Sequence, residues 1–209
     1  MGETVSTVKR EGAERDWAAY YARTRGRPPR ATTRFALEAF AREGRGGLFA
    51  VDLGCGGGRD ALAILEAGHR VLAVDRSPEA GAELEARVPP DLRARLEFRL
   101  ADLASFEVPP CDFVNASFVL FALEEADFRA LWERVRAALR PGGRFAGHLL
   151  GLRDSWVESG RRRGVDRAGI DRLAGEWAIE SLDEERCRSV TPRGEAKRWH
   201  VWHLVLRRP

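Results

Sequence analysis

Two aspartates and a run of glycines carry the chemistry of this sequence. Val51-Asp52-Leu53-Gly54-Cys55-Gly56-Gly57-Gly58-Arg59-Asp60 ends the apolar run Leu48-Phe49-Ala50-Val51 with a carboxylate and then a glycine cluster. A helix-compatible stretch, Ala61-Leu62-Ala63-Ile64-Leu65, follows. A strand, a tight turn and a helix in that order bring main-chain N–H groups close to a nucleotide-like ligand. Glycine tolerates positive φ there and leaves no side chain in the way. The spacing then separates ligands. A dinucleotide fingerprint is G-x-G-x-x-G. This loop reads G-x-G-G-G, and Arg59 stands where the third glycine belongs. Asp52 precedes the first glycine, where a carboxylate repels a pyrophosphate and suits a cation such as an amino group or a sulfonium.

The next elements supply partners for that loop. Arg70-Val71-Leu72-Ala73-Val74-Asp75 is a second apolar strand ending in an acid, placed to accept hydrogen bonds from ribose hydroxyls. A third strand, Leu96 to Leu100, leads to Asp102. A fourth, Asp112 to Ser117, carries Asn115 towards the carboxyl edge, where open α/β sheets bind ligands. A helix over Phe128 to Leu139, a turn at Arg140-Pro141-Gly142-Gly143-Arg144 and a strand Phe145 to Leu150 complete the alternation. Strands alternating with helices argue a parallel sheet with right-handed crossovers. Before it, helices are expected over residues 13 to 23 and Thr32 to Arg42, the second with Phe35, Leu37, Ala39 and Phe40 on its apolar face. After it come a short helix, Arg167 to Ala174, and a hairpin of strands near Trp177 to Cys187 and Lys197 to Leu206.

In that order, "DLGCGGGRD", Asp75, Asp102 and "LRPGGRF" resemble the class I S-adenosylmethionine-dependent methyltransferases. The motifs cover residues 48 to 151, and the element order extends over the whole chain. Trp17 to Tyr21, Gly26 to Arg30 and Trp199 to His203 resemble, more loosely, the tellurite-resistance-like subgroup. The resemblance implies an α/β fold: a doubly wound, seven-stranded, mostly parallel Rossmann-like sheet whose antiparallel last strand lies between strands 5 and 6. It implies S-adenosyl-L-methionine as cofactor. Asp52, Gly54, Cys55, Gly56 and Gly58 would wrap its methionine portion, and Asp75, with Arg76 beside it, its ribose. Asp102 would face the adenine amino group, with Leu103 contributing backbone. Asn115 would open the ligand-facing loop Ala116-Ser117-Phe118. Adenine-N6 and related amino methyltransferases carry an Asp/Asn-Pro-Pro-aromatic run there. Both prolines are lacking here, which argues against a nucleobase amino group as acceptor.

Other residues admit two roles. Tyr20 and Tyr21 either close over a sulfonium, whose charge an aromatic face attracts, or pack their own helix. Arg27 and Arg30 either hold a carboxylate bidentately or form a solvated basic loop. Arg59 opens the helix after the glycines and suits packing or salt bridging as well as ligand contact. His148, inside the fifth strand, and His200, in the last, join Tyr21 as candidates for catalysis. His200 and His203 are read as facing away from Trp202. Lys197, Arg198 and His200 are expected at the ligand edge, where cations suit a small anionic acceptor.

The 209 residues suit a single domain over 1–209, with an N-terminal helical lid segment at 1–45 and the core at 46–209. Net charge is +3 and the bases are spread, so nucleic acid is not indicated. Of the 35 basic residues only Lys9 and Lys197 are lysine. Cys55, Cys111 and Cys187 are far apart and form no C-x-x-C, so neither a disulfide framework nor a metal site is indicated. No apolar run approaches the ~18 residues of a membrane span. A cytoplasmic protein, monomeric or homodimeric, with no membrane partner is expected. The function expected is in-line methyl transfer from S-adenosylmethionine to a small-molecule or small anionic acceptor. No residue stands out as a general base, which favours soft nucleophiles such as a thiolate or a chalcogen anion. The alternatives are a nucleic-acid or protein methyltransferase and a non-catalytic nucleotide-binding module.

Overall fold

The computed structural model describes residues 21, 23–191 and 194–209. Tyr20 and most of the helix expected over residues 13 to 23 lie outside them. The strands are β1 (Phe49–Leu53), β2 (Arg70–Asp75), β3 (Leu96–Leu100), β4 (Cys111–Ala116), β5 (Leu139–Leu150), β6 (Ala178–Val190) and β7 (Ala196–Arg207). They form one sheet in the order β3-β2-β1-β4-β5-β7-β6. β7 pairs antiparallel with both β5 and β6, and the β1–β5 pairings are parallel. The expected seven-stranded, doubly wound topology is therefore present. The chain winds from β1 outward to β3, then returns to β4 on the other side of β1. That reversal opens a crevice at the carboxyl ends of β1 and β4, where ligands bind in such sheets.

Burial on both faces explains the composition of the strands. Val51 and Leu53 join a core with Leu72, Val74, Trp132, Phe145, Leu204 and Leu206. Ala50 points the other way, into a second core with Phe40, Ile64, Phe113, Ala146 and Val205. Successive strand residues alternate faces, so one sheet serves two apolar layers. The helices covering it are α1 (Ala31–Arg42), α2 (Arg59–Glu66), α3 (Pro78–Arg87), α4 (Glu125–Ala138), α5 (Ser155–Glu158) and α6 (Arg167–Ala174). α4 starts a turn before its expected Phe128, because Glu125 and Asp127 suit the positive end of the helix dipole. α1 buries Thr32, Thr33, Ala36, Ala39 and Phe40, leaving Phe35 and Leu37 half-buried. Its inner face thus carries two hydroxyls, one of which reaches the site.

The expected turn at Arg140 to Arg144 belongs to the start of β5. Gly142 N–H donates to the Arg208 carbonyl at 2.9 Å, and Arg208 N–H donates to Gly143 at 2.9 Å. These bonds hold the segment to the strand beside it. Next in line, Arg144 is only 1% exposed. Its guanidinium donates to Glu180 of β6 at 2.6 and 2.9 Å, and to Glu43, just past α1, at 2.5 and 3.0 Å. The same group lies 4.6 Å from the Phe40 ring centroid. One buried cation thus ties α1, β5 and β6 together.

Replacing Arg144 by Met strands two carboxylates beside an apolar side chain. The loss expected is about 3 kcal/mol at neutral pH, in the range for removing one partner of a buried pair. The hydrogen bond from Arg144 holds the Glu43 carboxyl below the usual glutamate range. Its contribution is present above the unfolded pKa and fades as pH falls through the folded one. Urea denaturation of both proteins should therefore show a gap that narrows on acidification; a gap constant with pH would refute this account.

Candidate cofactor and acceptor site

The glycine loop between β1 and α2 is shaped by three left-handed residues: Gly54 (φ 67°), Gly56 (φ 50°) and Gly58 (φ 77°). A side chain at Gly54 would overlap Val119, and one at Gly58 would overlap Leu84. The loop is hung on β2. Gly54 and Cys55 N–H groups donate to the Val74 carbonyl at 2.8 and 3.0 Å. Gly56 N–H donates to Asp75 Oδ2 at 2.9 Å, and Ser77 N–H donates to Asp75 Oδ1 at 3.0 Å. A carboxylate has roughly four acceptor positions. Asp75 therefore fixes the loop and keeps capacity for two hydroxyl donors.

Beneath the loop lies a buried polar chain. Asp52 is 2% exposed. Its Oδ1 accepts Asn115 Nδ2–H at 2.7 Å, and Asn115 Oδ1 accepts the Thr33 hydroxyl at 3.0 Å. Asp52 Oδ2 is buried without a hydrogen-bond partner among the described residues. Burial raises the Asp52 pKa well above the usual range; Asp60 adds to this, Asn115 opposes it, Asp75 adds further and the Ala61 N–H opposes it. Three acids with one unpartnered carboxylate oxygen suit a cation or an N–H donor and repel a diphosphate. Asp60 also accepts the Arg30 N–H at 2.8 Å. That bond draws the segment before α1 towards the loop, where a Cβ on Gly56 would stand 3.3 Å from the ring of buried Tyr21.

The remaining cofactor candidates are placed unevenly. Asn115 is fully buried and engaged with Asp52 and Thr33, so it braces the site from below. Cys55 is buried, and burial pushes its thiol pKa up, with Asp52 and Asp75 adding to the effect. Asp102 is exposed and accepts Ala104 N–H at 2.9 Å. The Leu103 side chain lies in the core, and its carbonyl accepts from Arg134 at 3.1 Å. Arg76 and Arg27 are exposed. Arg59 Nε donates to the Pro28 carbonyl at 2.5 Å, a packing role towards the N-terminal segment.

At the end of β4, Phe118 has φ 57°, the one positive value among described non-glycine residues. Such a value strains a bulky residue. Its ring stacks on His148 with centroids 4.2 Å apart and lies 4.3 Å from the Arg30 guanidinium. His148 is 1% exposed, and neither ring nitrogen has a hydrogen-bond partner among the described residues. Burial lowers its pKa well below 6.5, with His203, Arg30 and Arg59 acting the same way. Directly across the β5–β7 pairing stands His203, its ring 4.9 Å away at 87°. His203 Nε2 is 2.8 Å from Glu185.

The hairpin corrects three expectations. Residues 200 and 202 share parity, so His200 lies on the face of Trp202, with rings 5.6 Å apart, and only His203 takes the other face. His200 Nδ1 accepts Arg153 N–H at 3.1 Å while Nε2 meets Glu184 at 2.7 Å. Both nitrogens are used, so His200 is structural. Lys197 is buried, paired with Asp154 and flanked by the Trp156 and Trp199 rings at 4.1 and 4.3 Å. Arg198 pairs with Glu158. These cations already have anions and hold the hairpin to the segment around α5. The sequence marked His148 and His203 and placed Phe118 in the ligand-facing loop, but their meeting carried no local signal, because it depends on a strained φ and on a cross-strand register. Among the described residues no cluster of His, Cys, Asp and Glu could hold a metal, and no helix is long and apolar enough to cross a membrane.

Known proteins are similar to this chain in sequence and in fold. Residues 50–143 match the family described as a methyltransferase domain. The chain is 39% identical over 119 residues to the ribosomal protein L11 methyltransferase of Thermus thermophilus, covering 54% of this chain and 42% of that protein. It is 31% identical over 96 residues to an uncharacterized methyltransferase of Synechocystis, covering 46% of this chain and 44% of that protein. It thus spans less than half the length of these curated relatives. Its fold is similar to that of TehB from Haemophilus influenzae, with a TM-score of 0.70 over 92% of this chain and 67% of that one, at 14% identity.

The crowded acids give a testable consequence. A raised folded pKa means that Asp52 penalises the fold increasingly as pH rises above the ordinary aspartate range. Asp52→Asn keeps an acceptor for Asn115 and removes that penalty. Thermal unfolding should show the variant more stable than the parent at pH 7 and level with it near pH 4. A variant less stable at pH 7 would mean that the carboxylate is held by donors not visible in this arrangement.

Proposed function

We propose, from the premise that residues 50–143 form a methyltransferase domain, that this chain transfers a methyl group from S-adenosylmethionine to a small-molecule or small anionic acceptor. One observation carries the reading: the loop of three left-handed glycines, pinned by Asp75 over the unpartnered oxygen of Asp52. S-adenosylmethionine supplies an electrophilic methyl on a sulfonium, whose departure leaves a neutral thioether. The residues fit such a ligand. Asp75 offers its remaining lone pairs to ribose hydroxyls. The acids beneath the loop favour a cationic ligand, and the glycines give it room.

The chain's own part is positioning. Alignment alone can be worth roughly 7–11 kcal/mol of barrier. Residues 21–30 fit the role of a lid. Tyr21 lies against Gly56, Arg25 forms a bidentate pair with Glu83 of α3 at 2.9 and 2.7 Å, and Arg30 is held by Asp60. The sequence alone favours soft nucleophiles for want of a base; the His148–His203 pair at the same edge removes that ground. The segment shared with the L11 methyltransferase leaves more than half of that relative unmatched, so its protein substrate is not carried over.

S-adenosylhomocysteine should raise the melting temperature, and NAD should not. Stabilisation by NAD alone would overturn the proposal. Asp75→Ala should weaken S-adenosylhomocysteine at least tenfold by calorimetry, since a hydrogen bond to a charged group is worth ~1.5–3 kcal/mol. Unchanged affinity would confine Asp75 to holding Gly56.

A further inference from the structure

We propose that His203, oriented by Glu185, takes the proton from a planar acceptor bearing an ionisable hydroxyl or ring N–H, and that the half-buried rings of Phe118 and Trp199 border that acceptor. The proposal rests on the methyl-transfer reading and names the acceptor class for it.

The tautomer comes first. Glu185 Oε1 accepts from the Cys187 thiol at 3.0 Å, and that bond, with the one to His203, holds the carboxyl below the usual glutamate range. An ionised carboxylate only accepts, so His203 Nε2 donates to it at 2.8 Å. Nδ1 then carries the lone pair, and it has no hydrogen-bond partner among the described residues. A base nitrogen, fixed by a carboxylate on the opposite ring nitrogen, is the arrangement general bases use.

Position comes second. His203 lies across from His148, and Phe118 stacks on His148. The residue after Phe118, Val119, fills the space over Gly54 of the glycine loop. Arg30, bonded to Asp60 at the start of α2, lies over the same Phe118 ring. The histidine pair is therefore one residue's reach from the loop that would hold the methyl donor.

The third point is the buried imidazole. A ring with two unpartnered nitrogens at 1% exposure forfeits its bonds to water, about 1–3 kcal/mol per group. The cost marks a ring held in place by its neighbours, which backs Phe118 on one side and His203 on the other. Burial first, and then His203, Arg30 and Arg59, lower the His148 pKa, so His203 is the base of the pair. The groups facing the pair are Arg30 and Arg59 from the N-terminal side and α2, and Glu185 and Asp183 from β6. Phe118 is covered by His148 and Arg30, so an acceptor meets its edge, together with Trp199, whose ring is edge-on at 6.3 Å, and His203, all three half-buried. Aromatic rims beside a base suit a flat, protic molecule.

The step balances without a further reagent. The acceptor's O–H or N–H bond gives its proton to His203 Nδ1. The acceptor's electron pair forms the new bond to the methyl carbon, and the carbon–sulfur pair stays on sulfur. The imidazolium is held by Glu185 until it returns its proton to water.

Glu185 is 44% exposed, so Glu185→Gln is a mild change to the fold. Calorimetry with S-adenosylhomocysteine comes first: no binding by the parent protein overturns the methyl-transfer reading itself. In the protein–S-adenosylhomocysteine complex, 4-nitrophenol should show its phenolate absorption about one pH unit or more below its ionisation in water. Glu185→Gln should abolish most of that shift. Methylation of 4-nitrophenol should fall about tenfold or more in kcat in Glu185→Gln, and about a hundredfold in His203→Asn, with KM little changed. Glu184→Gln, which alters the same kind of pair on the His200 side, should leave both readouts at the parent level. If S-adenosylhomocysteine binds but the phenol is neither ionised nor methylated, the inference falls alone. Equal behaviour of Glu185→Gln and parent, or methylation of tellurite but not of the phenol, overturns it as well.

Discussion

Three buried side chains in a row hold the working edge of this sheet. Thr33 of α1 donates to Asn115 of β4, and Asn115 donates to Asp52 of β1. The row crosses the point where the strand order reverses, which is the place such a sheet keeps open for ligands. It joins the element before the sheet to the two strands flanking the crevice. It adds to the bonds by which β2 holds the glycine loop and Asp60 holds the segment leading into α1. The same row leaves one oxygen of Asp52 without a partner, so rigidity and unsatisfied charge arise from one arrangement. Sites that bind or react are often where a fold tolerates such a deficit.

Charge is graded across the crevice. Asp52, Asp60 and Asp75 gather under and beside the glycines, and Asp60 and Asp75 add to the burial that raises the pKa of Asp52. Arg30 and Arg59 lie towards Phe118 and His148, where their field disfavours a second cation. A ligand that is positive at one end and offers a neutral polar face at the other fits this gradient. The hairpin is outside it: Lys197 and Arg198 are neutralised locally by Asp154 and Glu158, and His200 is hydrogen-bonded to Glu184. Their work is to fix β7 against the loop around α5, and thereby to set where His203 stands.

What could be read from the amino-acid order was whatever depends on neighbours in the chain. The alternation of apolar runs with helical stretches gave the sheet, and the glycine run after Asp52 gave the loop with its positive φ values. Ranges for α6 and the hairpin came out within a few residues for the same reason. What could not be read depends on which strands lie side by side. The pairing of His148 with His203 is a matter of β5–β7 register, and no local pattern records it. The ion pairs of Lys197 and Arg198 involve residues some forty positions away, so three basic residues in one short stretch looked like an open cationic surface. The misplacement of His200 was different in kind: strand parity alone puts it beside Trp202.

Phe118 and Val119 are consecutive residues with separate occupations, one stacked on His148 and one filling the space over Gly54. A peptide unit is rigid, so a rotation that relieves the unfavourable φ of Phe118 also swings Val119. One stretch of backbone thus borders both the glycine loop and the histidine pair. In thermodynamic terms any coupling through it is reciprocal: whatever one occupant does to the affinity of the second, the second does to the first by the same factor. If methyl donor and acceptor bind as proposed, that shared stretch is where each would meet the other's effect.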